Sequence, residues 1–266
     1  MSETTPDTDA DAVLDEIAAL LGRARRPLFI TGAGISADSG LPTYRGIGGL
    51  YNGRMTEEGF PIEEALSGQM LAQRPEITWR YIARIESTCR NAGPSAAHRL
   101  IAALEDEKSG TWVLTQNIDS LHRKAGSKNL IEIHGTVHRL LCTACDCQRA
   151  LSSYEGLALP PVCPECGRLL RPDVVLFGEM LPQSALAQLA RTMEAGPDIV
   201  FSIGTTSVFP YIARPVWWAR QNGVVAVEIN PGDTGVSEIA SHRLKMGAAQ
   251  AMTALWSRLH PQSAAS

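Results

Sequence analysis

The chain has 266 residues, of which 44% are hydrophobic and 20% charged, with a formal net charge of -4. That length supports one sizeable core plus a small appendage, and the composition is ordinary for a globular chain. The mild negative charge argues against a broad nucleic-acid or anionic-membrane footprint, and no apolar run approaches the length of a membrane span.

The opening MSETTPDTDADAVLDE is acidic and polar, without the basic start and apolar run of a secretory leader. Residues 1–10 read as a disordered tail. Residues 12–24 carry Val13, Ile17, Leu20 and Leu21 at helical spacing. Leu28, Phe29 and Ile30 then form an apolar run entering GAGIS, the pattern of a buried strand that leads into a turn. Residues 44–75 hold turn formers and charges with weak periodicity and read as loops and short helices, followed by helices over 75–90 and 96–107. Strands are expected over 111–115, 130–133, 173–177, 198–203 and 224–229. Helices are expected over 183–195, between the last two strands, and over 248–258. Strands alternating with helices imply a doubly wound, parallel, Rossmann-like α/β sheet. The plan is one such domain from 11–138 and 173–260, with a helical insertion over about 45–95 and a small cysteine module over 139–172.

Gly32, Gly34 and Ala37 satisfy G-x-G-x-x-G/A directly after a predicted strand. Glycine there permits a tight turn and a close backbone approach to a pyrophosphate. The acidic residue that ordinarily follows about 20 positions on, to hold a ribose, is missing. Glu57 and Glu58 stand near that distance, but in a glycine-rich stretch that does not read as a strand. The loop therefore looks like a dinucleotide cradle without dehydrogenase wiring.

In TQNIDSLH, Gln116, Asn117 and Asp119 follow the second strand directly, at the edge where open α/β sheets bind ligands. EIHGTVH places His134 at the same edge, where a neutral imidazole can serve as a general base near neutral pH. His98, His122 and His138 lack that placement and read as structural or surface residues. Of six cysteines, Cys142/Cys145 and Cys163/Cys166 form two C-x₂-C pairs with 17 residues between them. That is the spacing of a four-thiolate zinc site, and four thiolates leave no open position, so the metal is expected to be structural. Cys147 could exchange with Cys145 as a ligand, although C-x₂-C geometry favours Cys142 with Cys145. Cys89 lies on a predicted helix and reads as core.

In order, GAGIS-x₃-GLPTYRG, TQNIDSLH, HG, the two C-x₂-C pairs, PDVVLFGE, IGTTSVFP and EIN make the chain resemble a bacterial-type sirtuin (Sir2 family), from about residue 27 to residue 248. The resemblance implies an NAD-dependent protein-lysine deacylase with one structural zinc. NAD would be consumed as a co-substrate, and the stretch through Pro42, Tyr44 and Arg45 would fold over its nicotinamide end. Gly32, Ala33, Gly34 and Ser36 would line the phosphate and ribose pocket. Tyr44 stands where many members have Phe, and Arg45 would help hold the cofactor. Gln116, Asn117 and Asp119 would form the nicotinamide and ribose pocket, and His134, with Asn117, would be catalytic. Gly204, Thr205, Thr206, Asn230 and Ala248 would meet the ribose and phosphates, with Thr206 where many members have Ser. Val174, Val175 and Phe177 would pair with an extended substrate peptide by strand addition.

In the implied chemistry, the acyl oxygen of a modified lysine displaces nicotinamide from the ribose, and His134 takes a ribose hydroxyl proton. The products are free lysine and acyl-ADP-ribose. Tyr81 and Arg84 fit the Y-x-x-R pair of members that prefer acidic acyl groups such as succinyl or malonyl, though offset by about one residue relative to Pro75 and Trp79. Deacetylation is the leading expectation. The alternatives are desuccinylase or demalonylase activity, mono-ADP-ribosyl transfer from the same pocket, and a noncatalytic NAD or ADP-ribose reader. The expected partners are acylated-lysine proteins or peptides, with no membrane and no sequence-specific nucleic acid, in the cytoplasm.

Overall fold

The computed structural model describes residues 8–43 and 55–261. In chain order these form α1 (Thr8–Arg23), β1 (Pro27–Thr31), a 3₁₀ helix (Ala33–Ser39), α2 (Ile62–Ala65), α3 (Gly68–Gln73), α4 (Pro75–Arg90), α5 (Ala96–Glu107), β2 (Trp112–Thr115), α6 (Leu121–Ala125), β3 (Leu130–Glu132) and β4 (Gly135–Cys142). There follow β5 (Gln148–Ala150), β6 (Leu170–Val174), α7 (Gln183–Glu194), β7 (Ile199–Ile203), α8 (Pro210–Gln221), β8 (Val225–Ile229), β9 (His242–Leu244) and α9 (Ala248–Leu259).

Six strands make a parallel sheet in the order β3-β2-β1-β7-β8-β9. Every residue of β1 and of β7 is buried, which is why these strands read as continuous apolar runs. Their side chains alternate between two cores. Phe29, Val113, Phe201 and Val227 face α1, α5 and α9, with the Phe29 and Phe201 rings stacked at 4.8 Å. Leu28, Ile30, Leu114 and Val200 face the side covered by α7 and α8. The chain winds outward from β1 to β3 and then returns to build β7, β8 and β9 on the other flank. The order therefore reverses between β1 and β7, and a crevice opens at their carboxyl ends.

A second, antiparallel sheet, β5-β4-β6, spans residues 135–174 and carries the cysteine pairs. It shares one core with α2, α3 and α4. At the centre of that core the Trp79 indole N–H donates to the Leu170 carbonyl at 3.1 Å, and its ring meets Tyr154 at 5.6 Å. On the edge, Arg90 pairs with buried Glu86 and reaches Glu155.

Several expectations shift. The strand expected over 173–177 is β6, which ends at Val174 and joins the antiparallel sheet, because its pairing partner is β4. Helix α1 begins at Thr8, inside the segment read as a tail. The turn after β1 enters a 3₁₀ helix. β9 was not expected: its sequence, His-Arg-Leu, has no strand pattern, and its pairing is supplied by β8.

Candidate active site

Two strand-end turns meet at the crevice, and their glycines hold each other. The Gly34 N–H donates to the Gly204 carbonyl at 2.8 Å. A Cβ on Gly34 would stand 2.6 Å from the Gly204 Cα, and one on Gly32 would stand 2.8 Å from the Thr205 Cβ. Gly204 is left-handed at φ 58, where a Cβ would also stand 2.5 Å from the Ile35 nitrogen. The glycine pattern is therefore required by turn-on-turn packing as well as by any phosphate.

From these turns runs a cleft of about 730 Å³. It is lined by residues 32–34, Gln116, Asn117, His134, residues 174–177, residues 204–206, Phe209, Tyr211, Asn230 and Ala248. Bare backbone at one end, closed to any Cβ, and amide, hydroxyl and imidazole groups along the rest are a lining that fits a dinucleotide. A second cavity of about 310 Å³ adjoins it through the shared residues Ala33 and Asn117. This one is mostly aliphatic, with Leu41, Ile62, Leu66 and Ile85 in its wall beside Ser36, Asp119, Tyr81 and Arg84.

The polar side chains after β2 are wired together. The Asn117 amide donates to the Gly32 carbonyl and to Ser36 Oγ, both at 3.1 Å. Ser36 in turn donates to Asp119 at 2.7 Å, and Asp119 also accepts from the Leu121 N–H at 2.9 Å. Burial pushes the Asp119 carboxyl above its ordinary value, and these donors pull it back. The Gln116 amide donates to Thr205 Oγ1 at 2.7 Å, tying the ends of β2 and β7.

His134 leaves β3 with Nδ1 at 3.0 Å from the Gln116 carbonyl and Nε2 at 2.7 Å from the Tyr211 hydroxyl. Only an N–H can face a carbonyl, so Nδ1 carries the hydrogen and Nε2 the lone pair. Burial holds the imidazole below its ordinary range, with the Gln116 carbonyl working the other way. A neutral ring with its lone pair toward a cleft is competent to take a proton.

Below the glycine turn lies a pair of histidines. His98 and His122 are buried, their rings edge-on at 4.6 Å, and His122 Nε2 is 2.9 Å from Thr31 Oγ1. Neither lines the cleft or the smaller cavity.

The Sγ atoms of Cys142, Cys145, Cys163 and Cys166 all lie within 4.8 Å of one another. Cys142 and Cys166 approach to 3.4 Å, and Cys145 and Cys163 to 3.7 Å. A tetrahedron with Zn–S bonds of about 2.3 Å has edges of about 3.8 Å, so the four thiols fit one zinc ion. Cys147 is buried in the core shared with Trp79 and is not one of the four.

The pattern of the Sir2 family matches residues 32–210. The chain belongs to the Sir2 family. It is 52% identical over 233 residues to NAD-dependent protein deacylase 2 of Pseudomonas aeruginosa, covering 86% of this chain and 91% of that one. Among solved structures, a mutant Sir2 homologue in complex with ADP-ribose superposes with a TM-score of 0.85 at 33% identity, covering 94% of this chain and 98% of the other. A Sir2 homologue in complex with NAD gives 0.83 at 35% identity, covering 95% of each.

Most of the residues singled out from this sirtuin's sequence line one of the two spaces. Tyr44 and Arg45 lie outside the described residues. Tyr81 and Arg84 do face the smaller cavity, so the offset in their spacing does not turn them away. Both already have carboxylate partners. The Tyr81 hydroxyl donates to Glu58 at 2.7 Å and accepts the Glu57 N–H at 3.1 Å, and Arg84 pairs with Glu57 at 2.8 Å. Phe177 pairs its backbone with Leu66 and Gly68, so that part of the expected peptide-binding edge is used within the chain. Cys89 lines the smaller cavity, its thiol pushed up to about 12 chiefly by burial. Sequence reasoning missed Phe209 and Tyr211, although two aromatics directly after a buried strand and its turn were a usable signal.

Proposed function

We propose that this sirtuin removes acyl groups from lysines of proteins with NAD as co-substrate, in the cytoplasm, and that a two-carbon acyl group is preferred. The observation that carries the reading is His134, whose Nδ1 is pinned on the Gln116 carbonyl so that Nε2 serves the cleft built on the two glycine turns. NAD supplies a cationic leaving group, nicotinamide, and an ADP-ribose that accepts the acyl group. The residues of the chain supply the rest. The turns at residues 32–34 and 204–206 cradle the diphosphate, and Asn230 and Ala248 bound its far side. The Asn117–Ser36–Asp119 network fixes the polar wall between the two spaces, where nicotinamide departs. His134, with Nε2 as the base, takes a ribose hydroxyl proton. Val174 and Val175 line the cleft where an extended peptide would add its backbone.

The division of labour follows the cores. The parallel sheet holds NAD, and the helical insertion, through Ile62, Leu66, Tyr81 and Ile85, walls the acyl cavity. Four thiolate ligands suit a reducing compartment. The small neutral acyl group follows from the aliphatic wall and from Glu57 and Glu58, which already occupy Arg84 and Tyr81.

The test is mass spectrometry of acetyl-lysine and succinyl-lysine peptides with and without NAD. Acetyl loss that requires NAD, with acetyl-ADP-ribose appearing, is expected. Peptides gaining ADP-ribose would instead establish the transferase. His134→Ala should retain NAD binding and lose turnover by a factor on the order of 10² or more. Undiminished turnover would refute the assignment of the base.

A further inference from the structure

The lone pair on which the proposed chemistry depends is already taken. The Nδ1 of His134 is committed to the Gln116 carbonyl at 3.0 Å, so the ring has one acceptor left, Nε2. That atom lies 2.7 Å from the Tyr211 hydroxyl, which donates to it. An imidazole nitrogen presents a single in-plane lone pair. While Tyr211 sits on it, no sugar hydroxyl can.

Tyr211 is built to hold this position. It stands in the first turn of α8, half-buried, on the wall of the large cleft. Its ring stacks on Phe209 at 5.5 Å with only 12° between planes, and Phe209 meets the His134 ring edge-on at 6.2 Å. The stack sets the direction of the hydroxyl, and the half-buried ring borders the cleft.

We propose that Tyr211 is a positioning residue that stands in for the ribose hydroxyl. It holds His134 in the tautomer with Nε2 unprotonated while the cleft is empty, and the sugar hydroxyl of the co-substrate displaces it. No proton passes through Tyr211, whose hydroxyl keeps its hydrogen throughout. The inference rests on His134 being the base, and it adds a cost: each productive binding event must break the Tyr211–His134 hydrogen bond.

The experiment is calorimetric titration of wild type and Tyr211→Phe with ADP-ribose, NAD and ADP, combined with steady-state kinetics. Phenylalanine keeps the stack on Phe209 and removes only the hydroxyl. ADP-ribose and NAD should bind roughly three- to tenfold tighter to the variant, the worth of one released hydrogen bond. The affinity for ADP, which has no second ribose, should not follow. The KM for NAD should fall by a larger factor than kcat changes. In a His134→Ala background the same substitution should no longer tighten ADP-ribose, because the bond to His134 is already gone. A merely structural Tyr211 would shift ADP and ADP-ribose alike or neither, and either result overturns the proposal. A fall in kcat on the order of 10² with ADP-ribose affinity unchanged would place Tyr211 in the proton path and also overturn it. Full turnover by His134→Ala would remove the base itself. Lost turnover in His134→Ala with no effect of Tyr211→Phe would sink this inference alone.

Discussion

The parallel sheet and the smaller lobe around the cysteines are stabilised in different ways. The parallel sheet has helices on both faces and two aliphatic cores that alternate along every central strand. The smaller lobe has a three-stranded sheet whose edge strand, β5, is exposed along its length. Its core exists only because Trp79, Ile82 and Leu71 from the helical insertion pack against Leu140, Tyr154 and Leu170 from the cysteine module. Neither half of that lobe has enough apolar surface alone, so four thiols gathered at one point complete it. The first region rests on many dispersed contacts, whereas the second combines one shared core with four thiols placed to hold a single metal ion. The smaller cavity, proposed to take the acyl group, is walled partly by the second region, through Ile62, Leu66 and Tyr81.

Removing the metal should break the comparison most strongly. Cys163→Ser, or exhaustive chelation, should release zinc and loosen the core that holds α4. Deacylation should then fall by more than roughly tenfold, while the parallel sheet still melts cooperatively near its original temperature. Metal analysis, activity and circular dichroism melts on one sample would decide it. Full activity with no zinc bound would show that the lobe stands on its shared core without the metal.

An acid titration tests the opposite region. Burial pushes His98 down from 6.5 to about 4 and lowers His122 well below its ordinary value. In the unfolded chain both imidazoles take up protons near their ordinary value, so between about pH 6.5 and 4 the unfolded state binds more protons than the folded one. Stability should therefore be complete above that window and decline as pH falls through it, by roughly 3 kcal/mol for His98 alone. Melting temperatures across that range should show the slope, and His98→Gln should flatten it. An equal slope in the variant would assign the acid sensitivity elsewhere.

The same contrast governs what the sequence disclosed. β1, β7 and β8 were readable because strands buried on both faces are mostly apolar runs, broken only by single buried residues such as Ser202 and Glu228. β9 was not, because it takes its conformation from β8 and carries no pattern of its own. The cysteine site was readable because ligand spacing is a local constraint. Its union with α4 was not, because the Trp79–Leu170 bond joins residues 91 apart. His134 could be placed by its strand end, whereas its pairing with Tyr211, 77 positions away, could not, although the aromatics Phe209 and Tyr211 after a buried strand marked that turn.

The smallest effect concerns acyl choice, where the two regions meet. Arg84 is a cation at the wall of an otherwise aliphatic cavity, and it is spent on Glu57 at 2.8 Å, while Tyr81 is spent on Glu58 at 2.7 Å. Both acids thus occupy the two wall residues that a succinyl carboxylate would need. Arg84 and Glu57 are solvent-exposed, so their pairing is weak, and releasing it should have a correspondingly limited effect. Glu57→Gln with Glu58→Gln should raise the succinyl-to-acetyl ratio of kcat/KM a few-fold, on the order of one hydrogen bond. Adding Arg84→Gln should cancel the gain, because the carboxylate would then have no cation to meet. A ratio that stays put in the double variant would mean that the aliphatic wall alone sets acyl length, and that Tyr81 and Arg84 share their spacing with acid-preferring relatives by coincidence.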